Sequence, residues 1–258
     1  MQAEMISKPI LVGKKTAPNR IVFQPMECND ADASGDPSEL SIKRYRRFAE
    51  GGAGIIFTES FTLTSESRAR KSQMAITEKN AEGLAGLVKS MREVNSDSLI
   101  LFQLNQSGRL SEVAFSKVIS VYPTGDPDIH VLTEKEIEEI GDNFVKAAVI
   151  AKQVGADGID FKHCHGYVCT EMIQPANSSN DSLLDLAFDF VVFDDLKVLI
   201  LAGFFYSCEH GSLLNRHSHY YGLDTYLSMF LCIFYGTTYS SSENFTLNDY
   251  RYLYRQMN

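Results

Sequence analysis

The feature that most constrains this chain is a repeat. Short apolar runs alternate with longer amphipathic segments through the first two thirds of its length. Arg20–Met26 (RIVFQPM) reads as a strand, followed by a helix from about Ser38 to Glu50 that stops at Gly51-Gly52. Ala53–Ser60 (AGIIFTES) is a second strand, Lys79–Val94 a second helix, and Ser98–Gln106 (SLILFQLNQ) a third strand. Thr133 and Glu136 have capping-box spacing, in which the hydroxyl accepts from the Glu136 N–H while the Glu136 side chain reaches back. A long helix to about Val154 follows, and Gly158–Cys164 (GIDFKHC) is the fourth strand. Continuous apolar strands separated by amphipathic helices imply a parallel sheet buried on both faces. The fold class is therefore α/β, and four such units make half of a (β/α)8 barrel.

The rest of the chain does not repeat the pattern. All seven prolines lie at or before Pro175, and residues 182–258 hold 17 of the 28 Phe and Tyr residues. Charged residues fall from 45 in residues 1–181 to 12 in residues 182–258. This shift sets an expected boundary, with half of a barrel over 1–181 and an aromatic-rich tail of different character over 182–258. Within the tail, Leu196–Tyr206 reads as a buried strand and Asp224–Gly236 as an apolar helix. Ser207–Gly222 contains three histidines and a cysteine, without the paired CxxC or HxxxH spacing of a metal site, so no metal is expected.

A net charge of -9 and a pI near 5.2 argue against a nucleic-acid surface. The densest basic cluster, Lys43–Arg47 (KRYRR), reads as a solvated helix face. No apolar run reaches the roughly 18–20 residues that span a bilayer, and the amino end lacks the charged start and apolar block of a signal peptide. Five cysteines without framework spacing fit a reducing cytoplasm.

Chemistry concentrates in Gly158–Tyr167 (GIDFKHCHGY). A strand ends there in Lys162, His163, Cys164, His165 and Tyr167, and the carboxyl ends of barrel strands are where such folds place their active sites. Four segments together resemble the old yellow enzyme family of FMN-dependent NAD(P)H oxidoreductases: APNRIVFQPMECND, GGAGIIFTES, LFQLNQSGR and DGIDFKHCHGYVCTEMIQPAN. They occur in the family's order across residues 8–180.

The resemblance implies a TIM-barrel fold, FMN as cofactor, NADH or NADPH as electron donor and a small-molecule acceptor such as an activated alkene. Pro25, Met26 and Glu27 fall under the flavin, with Glu27 where many members carry Cys or Thr. Ser60 takes the place of a small residue against the ring, and Gln103 that of the amide on the pyrimidine edge. Lys162 replaces the first of two donors that hold the acceptor's oxygen and touch the flavin. His165 matches the second donor, and Tyr167 the proton donor. His163 reads as structural, and Cys164 and Cys169 as packing residues.

The resemblance stops near Asn180-Asp181. Beyond it the chain matches neither the family's fifth-strand arginine nor its glycine-rich phosphate loops, as frame loss, an unspliced segment or a mispredicted gene would produce. A genuine divergent ending is the alternative. Two readings therefore compete: an ene-reductase-type enzyme cut or altered after its fourth strand, and a non-catalytic half-barrel that has lost flavin. A third, a barrel lyase or aldolase, would need Lys162 desolvated beside another cation as a Schiff-base amine. Open sheet edges imply self-association of the chain as it stands.

Overall fold

The computed structural model describes residues 5–13 and 15–172. A hairpin comes first, formed by β1 (Ile10–Val12) and β2 (Lys15–Ala17). A four-stranded parallel sheet then assembles in chain order from β3 (Val22–Phe23), β4 (Ile55–Thr62), β5 (Leu99–Asn105) and β8 (Gly158–Phe161). A short parallel pair, β6 (Ile119–Ser120) and β7 (His130–Val131), lies in the excursion between β5 and the next helix. The helices are α1 (Glu39–Glu50), α2 (Ala81–Arg92), α3 (Glu134–Gln153) and the short α4 (Val168–Met172).

Local chemistry sets the helix ends. Ser38 caps α1 by accepting from the Ser41 N–H, and Gly52, at φ 78°, turns the chain away after it. Glu39 lies in the first turn and Arg47 in the last, as the helix dipole favours. The capping box opening α3 is formed in both directions, Glu136 N to Thr133 Oγ1 at 3.3 Å and Thr133 N to Glu136 Oε2 at 2.9 Å. The first strand is shorter than its sequence suggests, only Val22–Phe23. Pro25 carries no N–H to continue the ladder.

Alternation along the strands divides the core in two. Ile55, Phe57, Leu99 and Leu101 pack with Ile10, Val12 and Ala17, so the β1–β2 hairpin covers the inner face of the sheet at its amino end. Ile56, Ile100, Phe102 and Leu104 point the other way, into a larger core with Leu84, Leu87 and Met91 of α2 and Phe144, Ala147 and Ala151 of α3. Every residue of β4 and of β5 is buried, as a strand covered on both faces requires. The hairpin was not legible beforehand, because three-residue strands carry no periodicity of their own.

Among the described residues β3 pairs only with β4, and β8 only with β5. The four units thus stand in the sequential order of one half of a (β/α)8 barrel. The expected elements at 196–206 and 224–236 and the histidine-bearing segment 207–222 lie outside the described residues, as does the 181/182 boundary. No helix among the described residues is long and apolar enough to cross a membrane.

Candidate active site

A slip in register builds the first part of the site. Ile56 pairs with Ile100, but Ser60 pairs with Gln103, so β4 holds one extra residue between Phe57 and Ser60. Such a bulge reverses which face later side chains occupy. Phe61 is thereby sent into the outer core, and Ser60 joins Gln103 on the inner face, two residues beyond Leu101. Gln103 is in turn opposite Asp160 of β8, and its Nε2 donates to Asp160 Oδ2 at 2.8 Å. Ser60, Gln103 and Asp160 therefore form one row across the inner face near the carboxyl ends of the strands. All three are buried.

The second part rises from the end of β8. The Lys162 N–H still donates to the Leu104 carbonyl, which keeps Lys162 on the same face as Asp160. Its ammonium forms an ion pair with Glu27, on the loop after β3, and lies 4.4 Å from the centroid of the Tyr167 ring. His165 and Gly166 follow with φ of 64° and 73°. Two left-handed residues in succession make a tight reversal, and one of them is not glycine, a costly arrangement found preferentially at functional sites. This reversal buries Tyr167 under Lys162 and leaves His165 exposed, with its ring 6.3 Å from that of Tyr167.

The electrostatics follow from burial. Desolvation pushes Asp160 up to about 6, against the Gln103 hydrogen bond and the Lys162 charge, which both lower it. Tyr167 is pushed up to about 12 by burial and by Glu27, so it keeps its proton at neutral pH. Partial desolvation, reinforced by Lys162, lowers the surface-exposed His165 and favours its neutral form. His163 is lowered to about 4 by burial, and its Nδ1–H donates to the Phe161 carbonyl at 2.8 Å. That contact belongs to the backbone turn and leaves His163 out of the row.

Several sequence assignments change once the chain is folded. Pro25 is buried, but Met26 is 64 % exposed, and its carbonyl accepts from Cys28 Sγ at 3.5 Å. Cys164 is not a core residue like Cys169. It is half-buried, with Sγ 3.0 Å from His165 Nδ1, and burial pushes its thiol up to about 11. Lys162 faces a carboxylate, not a second cation, so the arrangement that would activate a Schiff-base amine is missing among the described residues. Lys43–Arg47 is not a uniformly solvated face, because Arg44 is in a part-buried bridge between Asp30 and Glu59. Asp160, Asp30, Arg44 and Glu59 were all missed. Only for Asp160 did the sequence hold a signal, since it lies two residues before Lys162 and shares its face.

A half-barrel with a polar row and an ion pair at the carboxyl ends of its strands defines an α/β-barrel protein with an active-site-like mouth. Comparison with known proteins makes the class specific. The sequence pattern of the NADH:flavin oxidoreductase / NADH oxidase family matches residues 5–182, and the chain belongs to that family. It is 32% identical over 168 residues to an NADPH dehydrogenase of Clostridium acetobutylicum, covering 63% of this chain and 49% of that one. It is 31% identical over 174 residues to an NADH oxidase of Thermoanaerobacter brockii, covering 64% and 26%. Among solved structures, the old yellow enzyme homologue of Zymomonas mobilis superposes with a TM-score of 0.63 at 21% identity, over 72% of this chain and 58% of that chain. The shared fold is that of the old yellow enzyme barrels. The chain spans about half the length of the NADPH dehydrogenases it matches.

The family name implies a flavin, and the residues present fit one. Two buried oxygens, Gln24 Oε1 and Ser60 Oγ, have no hydrogen-bond partner in the protein. Buried polar atoms of that kind call for a ligand or water. Ser60 adjoins the Gln103 amide in register, and Pro25 lies in the same loop as Gln24. These residues offer hydrogen-bonding groups and an apolar proline, the two kinds of contact that a flat ring with one polar edge requires.

Proposed function

We propose that residues 1–181 are the active-site half of an FMN-dependent NAD(P)H oxidoreductase whose acceptor is a small molecule such as an activated alkene. The observation that carries this reading is the convergence of Lys162, Glu27 and Tyr167 beside the Ser60–Gln103 row, where the buried Ser60 Oγ lacks a partner. A bound flavin supplies the hydride. Gln103, Ser60 and the Pro25–Met26–Glu27 segment orient its ring. Lys162 and His165 donate hydrogen bonds to the acceptor's oxygen, where charge develops as hydride arrives. Tyr167 holds the proton delivered to the other carbon, and its raised pKa keeps that proton in place until a basic carbon forms. The Glu27 carboxylate keeps the Lys162 ammonium at the rim of the pocket. The acidic balance of the chain fits a small-molecule enzyme of the cytoplasm.

A second reading is favoured by the extent of the match, which ends at residue 182 and covers 49% of the Clostridium acetobutylicum relative. In that reading the chain is a half-barrel that no longer retains flavin. One titration separates the two. On the first reading, FMN added to the purified 258-residue protein shows saturable fluorescence quenching that Gln103→Ala weakens. On the second, quenching is absent; self-association through the β3 and β8 edges is expected on either reading.

A further inference from the structure

We infer that Arg44 is a positioning residue, which seats the loop of residues 24–30 beneath the candidate flavin pocket by bridging Asp30 to Glu59. The inference rests on the flavin reading only for what the loop carries, since Gln24, Pro25, Met26 and Glu27 all belong to it. Three elements meet at Arg44. From α1, its Nη1 reaches Asp30 Oδ2, and its Nη2 reaches Asp30 Oδ1 at 3.1 Å and Glu59 Oε1 at 2.8 Å. Asp30 ends the loop and is also held by Ser41 Oγ at 2.7 Å. Glu59 is on β4 beside Ser60, with its side chain wholly buried. Tyr45 completes the seat, its hydroxyl accepting from the Glu59 N–H while its ring lies 5.0 Å from the Arg44 guanidinium. The fork geometry of arginine is what allows one side chain to hold two carboxylates at once.

The charges divide in a way that favours the loop. Burial pushes Glu59 up to about 8 despite Arg44, which lowers it, while Asp30, Glu27 and the Cys28 backbone N–H face the same carboxyl. Asp30 stays below the ordinary carboxylate range because its bonds from Arg44 and Ser41 outweigh the burial that raises it. Of the two carboxylates that Arg44 holds, the loop residue is therefore the more firmly ionised. The middle of the loop is tied by Glu27 to Lys162. Without Arg44, Asp30 keeps only its side-chain bond from Ser41.

Cys28 reports on this directly. It lies within the loop, half-buried, whereas Cys169 is buried against the barrel core. Iodoacetamide labelling of the full chain, read by peptide mass spectrometry, follows both thiols. Arg44→Met is expected to raise the Cys28 rate about tenfold or more with Cys169 unchanged, and to weaken FMN binding about tenfold, because both bonds that Arg44 makes to Asp30 are lost. Arg44→Lys restores part of both. Arg46→Met, on the same helix but paired with the exposed Glu50 and Glu93, leaves both unchanged. An unaltered Cys28 rate in Arg44→Met overturns the inference, as does a parallel rise at Cys28 and Cys169, which reports general loosening. Should Arg44→Met not fold, Asp30→Asn decides by the same two thiol rates. Labelling needs no flavin, so absent FMN binding by the unaltered chain counts against the flavin reading alone.

Discussion

Asp157 and Asp160, three residues apart at the two ends of β8, are shifted in opposite directions. Asp157 is half-buried and Asp160 fully buried, and burial alone would raise both. At the amino end, Asp157 is held by Lys15 of β2, by Arg92 of α2 and by the Ile100 N–H at 2.8 Å, and these bonds overcome burial and lower it. At the carboxyl end, Asp160 has the Gln103 amide and the Lys162 charge, which do not suffice, and it rises to about 6. One end of the strand is a closed network joining hairpin, sheet and helix. The other is a polar row in which the Ser60 Oγ still lacks a partner. The first arrangement holds the fold together, and the second is available to a ligand, the division of labour that barrel folds share.

The largest effect that can test this contrast is kinetic. In a full-length barrel carrying this front half, Tyr167→Phe is expected to spare flavin reduction by NAD(P)H and to slow the step with an enone by about 10²–10⁴-fold, the usual loss on removing a general acid. Stopped-flow measurement of the two half-reactions separates them, and equal slowing of both would make Tyr167 a structural residue.

Next in size is the closed end. Asp157→Ala strands Lys15, Arg92 and the Ile100 N–H together, and should cost about 3 kcal/mol in urea unfolding, as breaking a partly buried ion pair does. Its contribution also has a pH signature. The folded pKa of Asp157 is depressed, so its stabilisation is present above about 4, the unfolded value, and is lost as pH falls through the folded value. Asp160→Asn should act with the opposite sign. Its folded pKa is raised, so the native state loses stability as pH climbs from about 4 toward about 6, and no more beyond. Asparagine keeps an acceptor for Gln103 and removes that loss, giving a gain of ~1–3 kcal/mol at pH 7. Destabilisation by Asp160→Asn at pH 7 would show that the carboxylate is needed ionised and would dissolve the contrast.

The smallest expected change lies in the open row. Gln103→Ala removes amide bonds worth about 1 kcal/mol each, so FMN affinity should fall about tenfold or somewhat more, and the folding midpoint should fall modestly because Asp160 loses its 2.8 Å donor. Fluorescence titration and thermal melts on the same preparation test both halves of that statement. An unchanged affinity would argue that the row does not face the ring.

Much of the fold was legible because it rests on short-range rules. The Ser38 and Thr133 caps, the stop at Gly51-Gly52 and the apolar runs of β4, β5 and β8 are decided by neighbours a few residues away, and each appears within a few residues of where the sequence places it. The hairpin and the truncation of β3 at Pro25 were less legible. One is too short to show a period, and the other turns on a single missing N–H. Among the site residues, Lys162, His165 and Tyr167 stand together in the chain, whereas Gln103 was visible only through the resemblance carried by LFQLNQSGR.

By itself, then, the sequence determined a parallel α/β half-barrel, its helix ends and the cluster that closes its fourth strand, since periodicity and capping act over one or two turns of chain. The tertiary structure decided the rest through contacts the sequence does not encode locally. One extra residue in β4 brought Ser60 onto the same face as Gln103. The fold joined Lys162 to Glu27 across 135 positions, and Arg44 to Asp30 and Glu59 across two elements. It also surrounded Asp157 with partners while leaving Asp160 short of them. Burial and distance set those charges, and both exist only once the strands are in register.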